Sequence, residues 1–348
     1  MQTLLEAYMG LGHDRWDYYH EHRTATNISN PFVLANDFTG QHRFIRDYFK
    51  HSGKEIALEQ FDRYQQMTDS RAIHTNSVFF LGMLIRENTM LRSSLFDERR
   101  SKIGYPVFPF VWFLSTLFHD FGMQLEERLD EFQDMETLSG MFQHLNVEYS
   151  LLDHLPVNGD QDLFRMIEPY YLYRIGNQRI DHGIIAGIYL YDRLVKIRRE
   201  KKKLNDGELS WHHSLEKRYA AAAAAIACHN IFTAPSNGHV AGIYRDYSLD
   251  YLIQPSFREI TGQSYPLLFL FGLVDTIDPI KLYMRRGMEP AEILASLEIG
   301  FSRNSVKFAA TPGSSIDLTL LAEKIEGLRG WLAVRYDYSG GLITIKFA

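Results

Sequence analysis

Residues 107–118, Val-Phe-Pro-Phe-Val-Trp-Phe-Leu-Ser-Thr-Leu-Phe, are apolar almost without interruption, and the run stops at His119-Asp120-Phe-Gly122. Its length is too short for a bilayer span, and Pro109 near its start suits the first turn of a buried helix. Four further stretches carry helical patterns. Ile73, Val78, Phe79, Leu81, Met83, Leu84 and Ile85 give residues 72–92 a broad apolar face, which predicts a largely buried helix with His74 in its first turn. Ile184, Ile185, Ile188, Leu190, Leu194 and Ile197 predict a helix over 183–203, with His182 at its entry. The alanine run 220–225 has high helix propensity and predicts a helix over 214–229 that ends in Cys228-His229-Asn230. Pro266 opens another over Leu267–Val274, ending at Asp275. Residues 1–65 read as helical with irregular connections, and 124–175 as helical with a loop near 156–160.

The period changes after residue 290. Residues 294–300 and 305–309 read as strands, 316–328 as an amphipathic helix, and 331–338 with 342–347 as a hairpin turning at Ser339-Gly-Gly341. The expected fold is mainly α, a helical core with a small C-terminal α+β appendage of two strands, a helix and two strands. The expected divisions are an N-terminal helical extension over 1–65, a core over 66–288 and the appendage over 289–348. A small sheet has edges that need cover, so a homo-oligomer formed through the appendage is expected.

Composition narrows the class. With 45% hydrophobic residues in 348, the chain can bury a sizeable core. A net charge of −6 gives no general attraction to nucleic acid or to an anionic membrane. The one dense basic run, Lys196 to Lys203, falls at a predicted helix C-terminus, where cations complement the dipole. The single Cys228 excludes an intrachain disulfide and a thiolate-rich zinc site, and fits a reducing compartment. The N-terminus has neither a basic flank nor a long apolar stretch, so a cytoplasmic location is expected.

The chemistry lies at the helix ends. A buried apolar segment that finishes in an imidazole beside a carboxylate needs partners for both, because an unpaired buried charge is costly. His74, His119, Asp120 and Asp275 could form one metal site. Asp120 could bridge to a second metal bound by His182 and His229. Imidazole with carboxylate suits Mn, Fe, Co, Ni or Zn, and two such ions could clamp a phosphate and activate a water. A single histidine is more often a core or surface residue than a ligand; the weight lies in several polar residues placed at apolar helix ends.

These segments, taken in order, resemble the HD-domain metal-dependent phosphohydrolase superfamily. Arg71-Ala-Ile-His74 is similar to its first-ligand helix and Leu117-Phe-His119-Asp120-Phe-Gly122 to its signature. Asp181-His182-Gly183, Ala225-Ile-Ala-Cys-His229-Asn230 and Leu273-Val-Asp275-Thr-Ile-Asp278 are similar to its later ligand segments. The resemblance spans roughly residues 65–285. It implies an all-helical core holding one or two divalent metals, with His74, His119, Asp120 and Asp275 at the first and His182 and His229 at the second. Many dinuclear members have two consecutive histidines where this chain has His229-Asn230, which weakens the implied second site. Asp120, His119 and Glu126 are the candidate catalytic residues, with Glu127 a further acid–base candidate. Arg71, Arg179 and Lys281 are candidate phosphate contacts.

The expected activity is hydrolysis of a nucleotide or nucleotide-like phosphoester by metal-activated water. The alternatives are a single-strand nuclease, disfavoured by the acidic balance, a nucleotide-sensing module with a degenerate site, and oxidative chemistry at a diiron centre.

Overall fold

The computed structural model describes residues 1–16, 28–57, 59, 67–95, 107–120, 122–126, 134–156, 162–204 and 211–347. Glu127 and the loop 157–160 fall outside them. The chain is mainly helical with one small antiparallel sheet. It divides into two compact units. The first comprises Met1–Glu55, Gln66–Thr116 and Ile260–Ala348; the second comprises Ile56–Gln65 and Leu117–Glu259. These divisions differ from those expected at 65/66 and 288/289, because both the N-terminal helices and the C-terminal sheet belong to the first unit.

The first unit is built round the helix Asp69–Asn88, in which every residue from Ala72 to Arg86 is buried. A helix buried on all sides must be wrapped by its neighbours. The helices Phe38–His51, Pro266–Ile277 and Pro279–Met284 pack against it. Thr68 caps its start by accepting from the Arg71 N–H at 3.4 Å, which leaves His74 in the first buried turn. The Val107–Phe118 helix has the predicted bounds, and Trp112 ties it down by donating from Nε1 to the Phe79 carbonyl at 2.8 Å.

The sheet of this unit has the order β1-β2-β3-β5-β4, all antiparallel: β1 Gln2–Thr3, β2 Leu297–Ser302, β3 Ser305–Ala310, β4 Val334–Ser339 and β5 Leu342–Phe347. The expected first strand begins late, since Pro290–Ser296 is helical. The expected four strands become five because Gln2–Thr3 joins the edge. Gly340 and Gly341, at φ 59° and 74°, make the two-residue turn of the β4–β5 hairpin, a conformation that favours glycine. Ile299, Val306, Phe308, Ile343, Ile345 and Phe347 are buried. The Leu318–Glu326 helix buries Leu321, Ala322 and Ile325 and packs on β4.

The second unit centres on two helices packed along each other, His182–Lys203 and Ser214–Cys228. Ala220 and Ala222 to Ala225 are buried, so the alanine run does more than favour helix: small side chains admit close packing. Asp181 caps the first helix through the Ile184 N–H at 3.0 Å. Asp192, fully buried, accepts from the Glu148 and Tyr149 N–H groups at 2.7 and 2.9 Å and pins residues 148–149 to that helix. Among the described residues no helix is long and apolar enough to cross a membrane.

Candidate metal centre

In the first unit, His74 is held between two carboxylates. Its Nδ1 lies 2.8 Å from Asp278 Oδ2 and its Nε2 lies 3.2 Å from Asp275 Oδ1. The Pro266–Ile277 helix supplies Asp275, and Asp278 caps the next helix by accepting from the Lys281 N–H at 3.2 Å. Asp278 also accepts a short hydrogen bond from Ser77 Oγ, whose other neighbour is the Tyr8 hydroxyl at 3.0 Å. Lys281 Nζ is 3.4 Å from Asp275 Oδ1. A carboxylate at Nδ1 fixes the ring and its tautomer, and leaves Nε2 as the donor atom on the Asp275 side. Burial opposes a charge on His74, but its hydrogen bonds to Asp275 and Asp278 outweigh burial and raise its pKa to about 9, with Lys281 pulling the other way. A metal at Nε2 therefore has to displace a proton at neutral pH. Burial, reinforced by Asp278, pushes the Tyr8 hydroxyl well up, so it stays a neutral member of this chain.

In the second unit, His119 and Asp120 leave the end of the apolar helix, with Asp120 Oδ1 3.3 Å from His119 Nε2 and 4.0 Å from His182 Nε2. The His229 ring centroid lies 5.9 Å from that of His119 and 5.2 Å from that of His182. His229 Nδ1 is 2.6 Å from the Ile226 carbonyl, which fixes Nδ1 as its protonated nitrogen. Glu126 Oε1 accepts from both the backbone N–H and Nδ1 of His182, each at 2.9 Å. The Asn230 side-chain amide lies 2.9 Å from His182 Nε2. Burial disfavours the His182 cation, yet the Glu126 hydrogen bond and the charges of Asp181 and Asp120 raise its pKa overall. Burial likewise opposes charge on Glu126, but its bonds to His182 and the nearby Arg174 bring its pKa down.

Two glycines of the quoted motifs are required by this packing. A Cβ at Gly122 would lie 2.5 Å from the His182 carbonyl oxygen, and one at Gly183 would lie 2.8 Å from the His229 ring. Neither approach is open to a side chain.

His74 Nε2 and Asp275 Oδ1, 3.2 Å apart in the first unit, are a nitrogen and an oxygen that could take part in holding a metal ion. Imidazole with carboxylate suits a borderline divalent metal. The carboxylate behind His74 is the kind of outer partner that orients a ligating histidine, so the residues fit the group.

The remaining predicted residues fall as follows. Asp120, His182, His229 and Glu126 are brought together in the second unit. Lys281 stands beside Asp275. Arg71 sits one turn before His74, partly exposed, and Arg179 is exposed. Arg174, not among the predicted residues, is a cation close to this histidine cluster, 3.8 Å from Glu126 and 3.9 Å from Asp181. Asp278 was also missed as a site residue. Its signal was present: an Asp before Pro279 reads as a helix cap, and three residues after Asp275 it shares that residue's side of the chain. No family model, no curated protein and no solved structure matches this chain.

Proposed function

We propose that the chain is a metal-dependent phosphohydrolase acting on a nucleotide or nucleotide-like phosphoester. The observation that carries the reading is His74, held at Nδ1 by Asp278 with the Asp275 carboxylate 3.2 Å from its Nε2. The order of the HD-like segments adds to it. Asp120 is the further first-metal donor of this reading. A divalent metal, when bound, would supply Lewis acidity toward a phosphoryl oxygen and lower the pKa of a water.

The chain's own residues then have separable tasks. Asp278 holds His74 by Nδ1 so that Nε2 remains the donor. Glu126 holds His182 at Nδ1, which leaves the Nε2 edge, facing Asp120 and Asn230, as the place where a proton can be exchanged with substrate. Lys281, only partly buried, can turn from Asp275 toward a phosphate oxygen. The reading takes one or two metals; an amide nitrogen 2.9 Å from His182 Nε2 occupies the side from which a second metal would have to approach that atom.

The test is a nucleotide panel. Purified protein, supplied in turn with Mn, Fe, Co, Ni and Zn, is offered mononucleotides, nucleoside triphosphates, cyclic nucleotides and single-stranded DNA and RNA, with metal content measured on the same sample. Metal-dependent turnover of at least one small nucleotide is expected, with little strand cutting at physiological salt. Strand cleavage abolished by Asp120→Ala, without turnover of any nucleotide, would transfer the reading to a nuclease. Metal-free protein with no turnover would end it.

A further inference from the structure

The C-terminal sheet ends in an edge strand that can pair with itself. Strand β4 is the last in the order, hydrogen-bonded on one side to β5, and no described strand lies on its other side. Ile260 bridges Leu332 just upstream, but this pairing stops before the strand proper begins at Val334. From residue 335 to 339 every residue except Tyr336 is exposed, and Tyr338 keeps 41% of its surface in water. An edge of six residues is a template for another strand unless something opposes it.

The sequence of the edge chooses the partner. It reads Val334-Arg335-Tyr336-Asp337-Tyr338. Pairing β4 antiparallel with a second β4 about a twofold axis at Tyr336 sets residue 335 of each copy opposite residue 337 of the other. Directly opposed residues lie on one face of a sheet. Each Arg335 therefore meets an Asp337, twice over by symmetry, while Val334 meets Tyr338 and Tyr336 meets Tyr336. Arg335 and Asp337 both project from the exposed face, and Tyr336 is half-buried on the alternate face. Within the strand, Ser339 Oγ donates to Asp337 Oδ2 at 2.7 Å and Arg335 Nη1 donates to the Val334 carbonyl at 3.0 Å. A parallel pairing in the same register would set Arg335 beside Arg335 and Asp337 beside Asp337, which like-charge repulsion disfavours.

We propose that β4 is the interface with a second copy of this chain, paired antiparallel about Tyr336 to join two five-stranded sheets into one. The twofold contact is isologous and leaves no open edge on that side. The proposal does not depend on the phosphohydrolase reading.

Charge exchange on the full-length protein tests it, with sedimentation velocity as the readout. Wild type should show a reversible dimer whose population rises with concentration. Asp337→Arg, which opposes arginine to arginine, and Arg335→Asp, which opposes aspartate to aspartate, should each weaken the dimer by about tenfold or more. Mixing the two single variants should restore association, because each arginine strand then faces an aspartate strand. The double variant Arg335→Asp/Asp337→Arg should dimerise like wild type. Because the mixture and the double variant require association to return, loss of folding cannot imitate the expected pattern. A wild type that stays monomeric at every concentration overturns the proposal. So does a dimer indifferent to both single exchanges, or a mixture that fails to associate.

Discussion

His74, buried, and His182, partly buried, both stand near the start of helices and both touch a carboxylate through Nδ1, yet they are prepared for different work. The carboxylate behind His74 is Asp278, fully buried and fixed by Ser77 and by the helix it caps. On the other nitrogen of His74 stands a second carboxylate, Asp275. The carboxylate behind His182 is Glu126, partly exposed and shared with Arg174, and an amide stands on its other nitrogen. The first ring is locked and faces an oxygen donor, the arrangement a ligand needs. The second meets the Asn230 amide nitrogen, a donor, so its Nε2 accepts there and is free to take up and return a proton when that amide turns aside. Environment, rather than residue type, separates the two.

Breaking the lock on His74 should have the largest effect. Asp278→Ala removes a helix cap and leaves a buried, protonated histidine short of a counter-charge. Losses of this kind cost about 3–5 kcal/mol, to be read by chemical denaturation of the metal-free protein. Asp278→Asn keeps an acceptor for the Lys281 N–H and should recover much of that stability. Its metal affinity should still fall by about 10- to 100-fold, the usual cost of losing an outer partner. If Asp278→Asn binds metal as tightly as wild type, the orienting role is wrong.

Next comes the donor group itself. Asp275→Ala and His119→Ala should lose most bound metal, more than the outer-partner variant does, whereas His182→Ala should keep it. Elemental analysis of the folded proteins decides. Equal loss from His182→Ala would place that ring among the ligands and raise the metal count to two.

The contrast also shows what can be read from sequence. His74, His119 and Asp275 were legible because each interrupts or ends an apolar run, where an unexplained polar residue stands out. The helix carrying His74, the apolar helix before His119 and the Gly340-Gly341 hairpin were legible for the same reason, strong local pattern. Asp278 and Arg174 were not, because their partners lie far along the chain or depend on how helices pack. Asp278 reaches His74 across more than two hundred residues, and Arg174 rather than the nearer-looking Arg179 approaches Glu126. Gln2–Thr3 was missed as a strand because two residues show no period at all.

Glu126→Gln sharpens the comparison from the other side. The amide keeps the shape of the contact with His182 but removes its charge. Metal content should stay at the wild-type value while turnover falls by about 10- to 100-fold, at the low end of what a positioned proton carrier contributes. The sign of the titration is also set. Glu126 raises the His182 pKa against the opposing effect of burial, so its loss should move the His182 midpoint to lower pH in an NMR titration. An unmoved midpoint would mean that Asp120 and Asp181 alone sustain the charge.

The smallest effect should come from Lys281. Its side chain is 37% exposed and its ammonium lies 3.4 Å from Asp275, so solvent screens the pair, and Lys281→Ala should change stability by less than about 1 kcal/mol. Its charge acts against the proton on His74. Removing it should push the His74 midpoint above its value of about 9, and the pH at which metal displaces that proton should rise with it. That shift is expected whether or not Lys281 touches substrate. KM separates the two roles. A lysine that contacts phosphate should, when removed, raise KM with little change in metal content, and Lys281→Arg should restore most of the loss because arginine also donates to phosphate. A KM unchanged in Lys281→Ala, beside a shifted metal-binding pH, would leave Lys281 as a counter-charge to Asp275 and move the search for the phosphate contact to Arg71 and Arg174.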